Sequence, residues 1–281
     1  MFSSPAVVLL LALGSNPGET PPAKTAIANY APASKLAEKA TSALAVGGLS
    51  AILDVAFSGD AASLKVADRA NAERLFRSLF DQVEIRFGKA LGRHELVRTD
   101  VAGDSLVRFV YVQKWERGPM LWYLTFYRGD GGAWVWNGFN FTNGTAGDLQ
   151  TVPVDAAEFK GARTLATEGV DAIKKGGVDA LLDAVLAPGK TILLAGFRGS
   201  AALGFGKARD GQGGIVGKSS GQFDLARVSA IGKSLVRYTY LEKCARGVIV
   251  WDFTFYRADD NWQWQDVNIH GDASASFSAT K

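Results

Sequence analysis

Cysteine is almost absent from this sequence: Cys244 is the one cysteine among 281 residues. An intramolecular disulfide is therefore excluded. A reactive thiol also needs a neighbouring base or an electropositive setting, and the sequence shows neither, so we interpret Cys244 as a small buried apolar residue. Histidine is nearly as scarce, and neither His94 nor His270 stands at a metal-ligand spacing. We therefore expect no metal site and no cofactor.

An excess of charge is missing too. The chain has 31 Lys and Arg against 28 Asp and Glu, a net charge of +3, and acidic residues are interspersed among the basic ones. Proteins that bind nucleic acid concentrate basic residues in a patch or stripe, so nucleic acid is not an expected partner. Five of the eight prolines lie before residue 33. The rest of the chain is therefore typical of packed structure behind a loose leader.

The apolar run near the amino terminus is short. Ala6 to Leu13 read AVVLLLAL, far fewer than the ~20 residues that span a bilayer, so no membrane span is expected. The run is typical of a secretory signal, and Ala12-Leu13-Gly14 places small residues at the cleavage spacing. We predict a signal peptide over residues 1–14, a linker over 15–34, and export to the periplasm or the cell exterior. The alternative is a loosely docked tail on a cytoplasmic protein.

Export predicts that the mature protein begins near Ser15, because the signal is removed at the cleavage site. The intact mass of the protein isolated from its native host measures this directly. A chain that retains Met1 would contradict the prediction.

The chain repeats itself once at long range. Leu106 to Arg128 and Leu235 to Arg257 are identical at 12 of 23 positions without a gap. The same offset of 129 residues aligns Gly47-Gly48 with Gly176-Gly177. A period this long matches a whole small domain. We predict domains over residues 35–143 and 163–277, joined by a linker over 144–162.

Each repeat places helices before strands. Apolar residues at helical spacing predict two helical pieces within residues 35–57 and a long helix over 67–91. Alternating apolar residues predict a short strand over 95–101, followed by strands over 106–115, 121–128 and 134–141. Short turns between successive strands indicate an antiparallel meander. The predicted fold class is α+β, with two tandem copies of helices packed on a curved antiparallel four-stranded sheet.

The second repeat departs from the first between Gly196 and Gly221, where glycines replace most of the apolar stripe. Each interior glycine costs a helix about 1 kcal/mol relative to alanine, so this segment is either a poor helix or a loop. Gly217-Lys218-Ser219 spells the end of a phosphate-binding loop. However, Gln212 stands where that motif needs glycine, so no nucleotide site is expected.

The order of elements and the last strands resemble the nuclear transport factor 2-like superfamily, also called SnoaL-like or cystatin-like. Small bacterial domains of that kind read roughly Y-x-x-K-x-x-R-G-P-x-x-W-x-F-x-F-Y-R. The first repeat matches at Tyr111, Lys114, Arg117, Gly118, Pro119, Trp122, Phe126, Tyr127 and Arg128, and the second at Tyr240, Lys243, Arg246, Gly247, Trp251, Phe253, Phe255, Tyr256 and Arg257, with Val248 in place of proline. The resemblance implies a cone between helices and sheet that can hold a small molecule. It implies no single function, because members include isomerases, dehydratases, cyclases and binding modules.

Two arginines stand out on the predicted strands. Arg108 and Arg237 either pair with Glu95 and Asp224 of the neighbouring strand, or present a guanidinium to an anionic ligand in the cone. An isomerase-type site would also need a carboxylate base and a proton-donating tyrosine or aspartate. We favour the interpretation that the sheet tyrosines only pack. The candidate pocket or ligand contacts are Arg108, Tyr111, Trp122, Arg237, Tyr240 and Trp251, and no catalytic or metal-binding residue is predicted.

The predicted function is an exported two-domain protein that binds a small molecule or a protein and is not catalytic. The alternative is an isomerase or dehydratase that uses the cone, and a third reading is a scaffold. A buried acid in a polar cone would favour the enzyme, whereas a cone filled by Trp and Phe would favour the scaffold. The outer sheet faces carry Tyr123, Tyr127 and Tyr256, and exposed aromatic patches are uncommon unless they are interfaces. We therefore expect the two domains to pair through their sheets as an intramolecular pseudo-dimer.

Overall fold

The computed structural model describes residues 28–57, 69–128, 132–142, 148–192 and 197–270. The predicted signal peptide and its cleavage site lie outside the described residues. A short 3-10 helix, Ala28–Tyr30, leads into the first α-helix at Ala31, so regular structure starts inside the segment predicted as a linker. The elements of the first repeat are α1 (Ala31–Phe57), α2 (Arg69–Phe87), β1 (Ala90–Ala102), β2 (Leu106–Trp115), β3 (Gly118–Arg128) and β4 (Trp134–Thr142).

The second repeat follows the same order. Its elements are β5 (Gln150–Thr151), α3 (Lys160–Val185), α4 (Phe197–Val216), β6 (Ser219–Ile231), β7 (Leu235–Cys244), β8 (Gly247–Tyr256) and β9 (Gln263–His270). A 3-10 helix, Ala157–Phe159, precedes α3. The segment predicted as the second linker therefore holds β5, this 3-10 helix and the start of α3.

The strand orders are β1-β2-β3-β4 and β5-β6-β7-β8-β9, and the pairings within them are antiparallel. The predicted α+β class, with helices and two antiparallel sheets, is thus confirmed. The second sheet has five strands rather than four, because Gln150 and Thr151 pair with Ala230 and Ser229. Strands β1 and β6 each run for 13 residues, and β1 is longer than the strand predicted over 95–101. Much of β1 is polar and exposed, so apolar alternation marks only part of it.

Corresponding residues of the two repeats make the same contacts. These include the ion pairs Arg69–Asp54 and Arg198–Asp183, and the guanidinium-to-carbonyl hydrogen bonds Arg117–Ile85 and Arg246–Gly214. The long helices also share a kink, at Gly48 with φ 63° and at Gly177 with φ 67°. A positive φ favours glycine because it has no Cβ. The two helical pieces predicted around Gly47-Gly48 are therefore present in both repeats.

The glycine-rich segment of the second repeat is a helix, α4, over Phe197–Val216. Its partly buried Phe205, Ala208 and Val216 pack against the core of that repeat. A β-carbon would meet nothing within 4 Å at Gly199, Gly204, Gly206, Gly211, Gly213 or Gly214. Packing of a few apolar residues therefore keeps a helix that intrinsic propensity disfavours.

The chain divides into two compact units whose boundaries differ from those of the repeats. The first comprises the residues up to Phe80 together with Leu96–Tyr111 and Leu121–Thr142. The second comprises Asp81–Glu95, Val112–Met120 and the residues from Asn143 onward. The tip of the β2–β3 hairpin thus belongs to the second unit.

Aromatic side chains fill the core of each unit. In the first, Phe80 of α2 packs on the fully buried Trp122, with ring centroids 6.0 Å apart. In the second, Trp251, Phe253 and Trp264 form one buried cluster with apolar residues of α3. Each fully buried large apolar side chain contributes about 2–3 kcal/mol to stability. The Trp122 side of β3 is thus the one that faces the helices.

Helix α1 is the one helix among the described residues that is long and apolar enough to cross a membrane. Core helices and signal sequences meet the same requirement. In α1 the residues buried within the fold include Ala37, Ala40, Leu44 and Ile52. This burial is what a core helix shows.

The glycines of α4 should limit its stability. We expect Gly206→Ala and Gly211→Ala each to raise the free energy of unfolding by up to about 1 kcal/mol, because the new β-carbons meet nothing. Amide exchange should be faster in α4 than in α2, and slower in the double variant than in the wild type.

The matched control is Gly177→Ala, which should destabilise the protein. This residue has a positive φ, and its β-carbon would lie 3.2 Å from Arg209 Nη1. Equal exchange protection of α2 and α4, or no gain from either alanine, would contradict the expectation.

Candidate functional site

A fully buried carboxylate lies inside the second repeat. Glu242 on β7 has no exposed surface, and it shares the helix-facing side of the strand with Tyr238 and Tyr240. Its Oε1 accepts a hydrogen bond from Arg209 Nη2 at 2.6 Å, and its Oε2 accepts one from Trp251 Nε1 at 2.9 Å. Burial of an ionised carboxylate is tolerated when it is paired and hydrogen-bonded. Both oxygens of Glu242 meet that condition.

The Arg209 side chain passes the kink in α3 on its way to this carboxylate. Arg209 extends from α4, and its Nη1 passes Gly177 so closely that a β-carbon there would lie 3.2 Å away. The Arg209 side chain is 26% exposed. The guanidinium therefore joins the surface of α4 to the buried acid.

Aromatic rings surround the pair. Trp251 lies opposite Tyr240 in the β7–β8 register, and its ring centroid is 6.2 Å from that of Phe253. Burial raises the pKa of Tyr240, whose hydroxyl forms a hydrogen bond with Thr167. The interior thus offers one acid, one cation and one phenol within an aromatic lining.

Cys244 lies two residues beyond Glu242 on the same strand. Its thiol donates to the Glu242 carbonyl at 3.8 Å. Burial raises the pKa of Cys244, and the Glu242 charge adds to that effect. A thiol with a raised pKa carries little thiolate at neutral pH, which supports the interpretation of Cys244 as a packing residue.

The first repeat has no acid at the corresponding positions. The residues 129 positions before Arg209, Glu242 and Trp251 are Phe80, Gln113 and Trp122. In the first unit Trp122 is ringed by aromatic side chains, with centroid distances of 6.0 Å to Phe80, 6.2 Å to Phe139 and 5.0 Å to Phe141. Among the described residues Glu242 is the one fully buried carboxylate. The two repeats therefore differ chemically at their centres.

The structure does not bring the six predicted contact residues together. Tyr111, Trp122, Tyr240 and Trp251 are buried on the faces that cover the helices. Arg108 and Arg237 lie on the opposite faces, because successive side chains of a strand alternate. The hypothesis that these arginines present a guanidinium to a ligand in the cone is therefore wrong.

The partners expected for the two arginines were also wrong. Arg108 donates to Asp100 Oδ2 through Nε at 2.9 Å and Nη2 at 2.7 Å, and it lies over the Tyr123 ring. Glu95 instead accepts from the Lys233 backbone at 3.2 Å. An arginine on a strand can reach several positions of the next one, so sequence alone does not select its partner.

Arg237 meets different groups from those of Arg108. Its Nε donates to Thr254 Oγ1 at 3.2 Å, and its Nη1 is 4.0 Å from Asp252 Oδ2. Asp224, the expected partner, pairs with Lys243 at 2.9 Å. Asp252 lies on the face away from the helices, but its side chain is only 13% exposed because Thr239 and His270 also contact it.

Sequence reasoning missed Arg209 and Glu242. A signal was available in the alignment of the repeats, since a cation and an anion together replace Phe80 and Gln113. No group of three or more His, Cys, Asp or Glu that could hold a metal ion occurs in the described part of the chain.

No family model matches this chain, and no curated protein matches it significantly. Among solved structures, an NTF2-like protein involved in plasmid conjugation is similar, with 9% sequence identity and a TM-score of 0.22. The match covers 73% of this chain and 89% of that protein. A TM-score this low does not establish a shared fold.

The Arg209–Glu242 pair should be sensitive to the loss of one partner. We expect Arg209→Ala to lower the free energy of unfolding by about 3 kcal/mol, because the buried carboxylate loses its cation. The double variant Arg209→Phe with Glu242→Gln copies the first repeat. It should be more stable than the single variant, since replacing a whole buried pair is often neutral.

Urea unfolding of the full chain measures these differences. The control is Arg77→Ala, because Arg77 pairs with Glu73 at 2.6 Å but is 63% exposed. Its effect should stay within about 0.5 kcal/mol. A double variant as unstable as Arg209→Ala would contradict the assignment.

Proposed function

We propose that this chain is an exported, non-catalytic binding protein made of two duplicated modules of the nuclear transport factor 2-like kind. Its ligand site is the interior of the second repeat, at Glu242, and the first repeat is a scaffold. The observation that carries the proposal is the contrast between the two interiors. One is aromatic, and the other contains a buried acid that faces an arginine. The duplication is supported by the 12 shared positions out of 23.

The hydrogen bonds of Glu242 favour binding over catalysis. A general base needs an oxygen within hydrogen-bond reach of the proton that it removes. Here Arg209 and Trp251 each hold one oxygen of Glu242. The arrangement therefore suits recognition of a charged group better than proton transfer.

A ligand at this site must compete with Arg209 for the carboxylate. It therefore carries an ammonium or guanidinium group, since a cation is what Glu242 accepts. Trp251 and Tyr240 offer ring faces, which attract cations. Arg209 is carried by α4, the glycine-rich helix, so its displacement requires little loss of helix stability.

The alternative is an enzyme of the isomerase or dehydratase kind. The observation that favours it is the presence of a buried acid with Tyr240 on the same strand face. Such a site would need Arg209 to leave Glu242 before substrate binds. Turnover of a bound ligand separates this alternative from simple binding.

The experiment is native mass spectrometry of the full chain as purified, followed by titration with methylguanidinium and butylammonium. We expect saturable binding that Glu242→Gln weakens at least tenfold, because the neutral amide loses the charge that attracts the cation. Gln113→Glu, the reverse change in the first repeat, should leave binding at the second repeat intact. Equal affinity in wild type and Glu242→Gln would contradict the proposal.

We also propose that the two modules pair through their sheets. Support comes from contacts inside the second compact unit, which contains the tip of the β2–β3 hairpin. Tyr256 Oη donates to the Trp115 carbonyl at 3.0 Å and accepts from the Trp115 backbone N–H at 3.1 Å. Lys114 Nζ donates to the Arg257 carbonyl at 3.3 Å. Tyr256 is fully buried, whereas Tyr127, its equivalent, is 44% exposed.

Removing the Tyr256 hydroxyl should separate a structural contact from simple packing. We expect Tyr256→Phe to lower the free energy of unfolding by about 1–3 kcal/mol, because two buried backbone groups lose a partner. Tyr127→Phe is the matched control and should change it by less than about 0.5 kcal/mol. Thermal unfolding of the full chain gives both values, and equal effects would count against the pairing.

A further inference from the structure

The first repeat contains a carboxylate held between two arginines. Asp100 on β1 accepts from Arg98 Nε at 2.8 Å through Oδ1. Through Oδ2 it accepts from Arg108 Nε at 2.9 Å and Nη2 at 2.7 Å. The three side chains lie on the sheet face away from the helices, and all are partly exposed. They show that this face of the sheet can hold a carboxylate between two arginines.

The second repeat keeps both arginines and lacks the carboxylate. The residues 129 positions after Arg98, Asp100 and Arg108 are Arg227, Ser229 and Arg237. Ser229 lies directly opposite Arg237 in the register of β6 and β7, and it is 5% exposed. Serine is neutral, and its side chain is one atom shorter than that of aspartate. The arginines therefore lose their shared acceptor while the strands keep their pairing.

Arg227 shows the consequence. Its Nε is buried and has no hydrogen-bond partner among the described residues, whereas Arg98 Nε donates to Asp100. A buried donor without an acceptor is unfavourable. The hydrogen-bond capacity of Arg227 Nε is thus unmet within the described residues.

Asp252 only partly replaces the missing carboxylate. It stands at the position of Tyr123 and lies 4.0 Å from Arg237 Nη1, a longer separation than the 2.7 Å between Arg108 and Asp100. Its Oδ1 also accepts a hydrogen bond from the Thr239 hydroxyl, and its Oδ2 contacts His270. Arg237 thus has an Nε hydrogen bond to Thr254 and a long contact to Asp252, and Arg227 Nε has no partner among the described residues.

We propose that the second repeat binds the carboxylate group of an external ligand between Arg227 and Arg237, above Ser229, where the first repeat holds its own Asp100. The Ser229 hydroxyl can donate a further hydrogen bond to the same group. Arginine's planar fork suits a carboxylate in two-point contact.

The surrounding charges favour a carboxylate over a phosphate. Asp252 and Asp266 both interact with Arg237, so their negative charges offset the positive charge of the arginines. A singly charged carboxylate fits this balance, and a doubly charged phosphate meets more repulsion. The site is also independent of Glu242, because Arg237 and Glu242 lie on opposite faces of β7.

The test uses the full chain with ¹⁵N-labelled arginine and follows the Nε–Hε signals by NMR. Acetate and inorganic phosphate are titrated separately at constant ionic strength, with chloride as the reference anion. We expect the Arg227 signal to move saturably with acetate and to respond at least tenfold more weakly to phosphate. A flat Arg227 signal, or tighter binding of phosphate than of acetate, would overturn the proposal.

Two reciprocal variants sharpen the test. Ser229→Asp restores the internal carboxylate and should weaken acetate binding at Arg227 at least tenfold. Asp100→Ser should create a new acetate response at Arg98. An Arg227 response unchanged by Ser229→Asp would show that acetate acts elsewhere and would overturn the assignment. Binding of methylguanidinium at Glu242 should be unaffected by either change, so the two proposals fail separately.

Discussion

Each strand of the two sheets directs successive side chains to opposite faces, and one face of each sheet must cover its helices. This constraint fixes Trp122 and Trp251 in the cores and Arg108 and Arg237 on the other side. It also separates the two kinds of chemistry in the second repeat. Glu242 is shielded with its arginine among aromatic rings, whereas Arg237 lies among carboxylates and hydroxyls. A shift of register by one residue would exchange the two sets and bury unpaired charges.

The two repeats are informative because they hold one scaffold constant while the chemistry changes. Both repeats have a kink in the long helix. In both, an aspartate near the end of that helix forms an ion pair with an arginine at the start of the next helix. Their differences come in coupled sets. Arg209 and Glu242 together replace Phe80 and Gln113, which keeps the buried charge neutral. Ser229 and Asp252 together replace Asp100 and Tyr123, which moves a carboxylate to another strand and leaves Arg227 Nε unmatched.

The sequence was sufficient for the parts of the structure that depend on local pattern. Apolar periodicity predicted the order of helices and strands, and alternation placed Tyr123 and Tyr127 on the outer sheet face. Local pattern does not decide between helix and loop at Phe197–Val216, because the glycines disfavour a helix, whereas tertiary packing of Phe205 and Val216 stabilises one. The partners of Arg108 and Arg237 were missed because long side chains choose among several acceptors in space. The Arg209–Glu242 pair joins residues 33 positions apart, which periodicity cannot detect.

The position of Arg209 joins the stability of the second repeat to its proposed function. A buried carboxylate needs a cation, and an arginine supplied by a rigid helix would hold that place permanently. Here the arginine comes from a helix in which six glycines have open space in place of side chains. Such a helix can move or fray at less cost than α2, and the proposed function requires its arginine to yield to an external cation. The weak helix and the buried acid are therefore best understood together, because each would be a defect without the other.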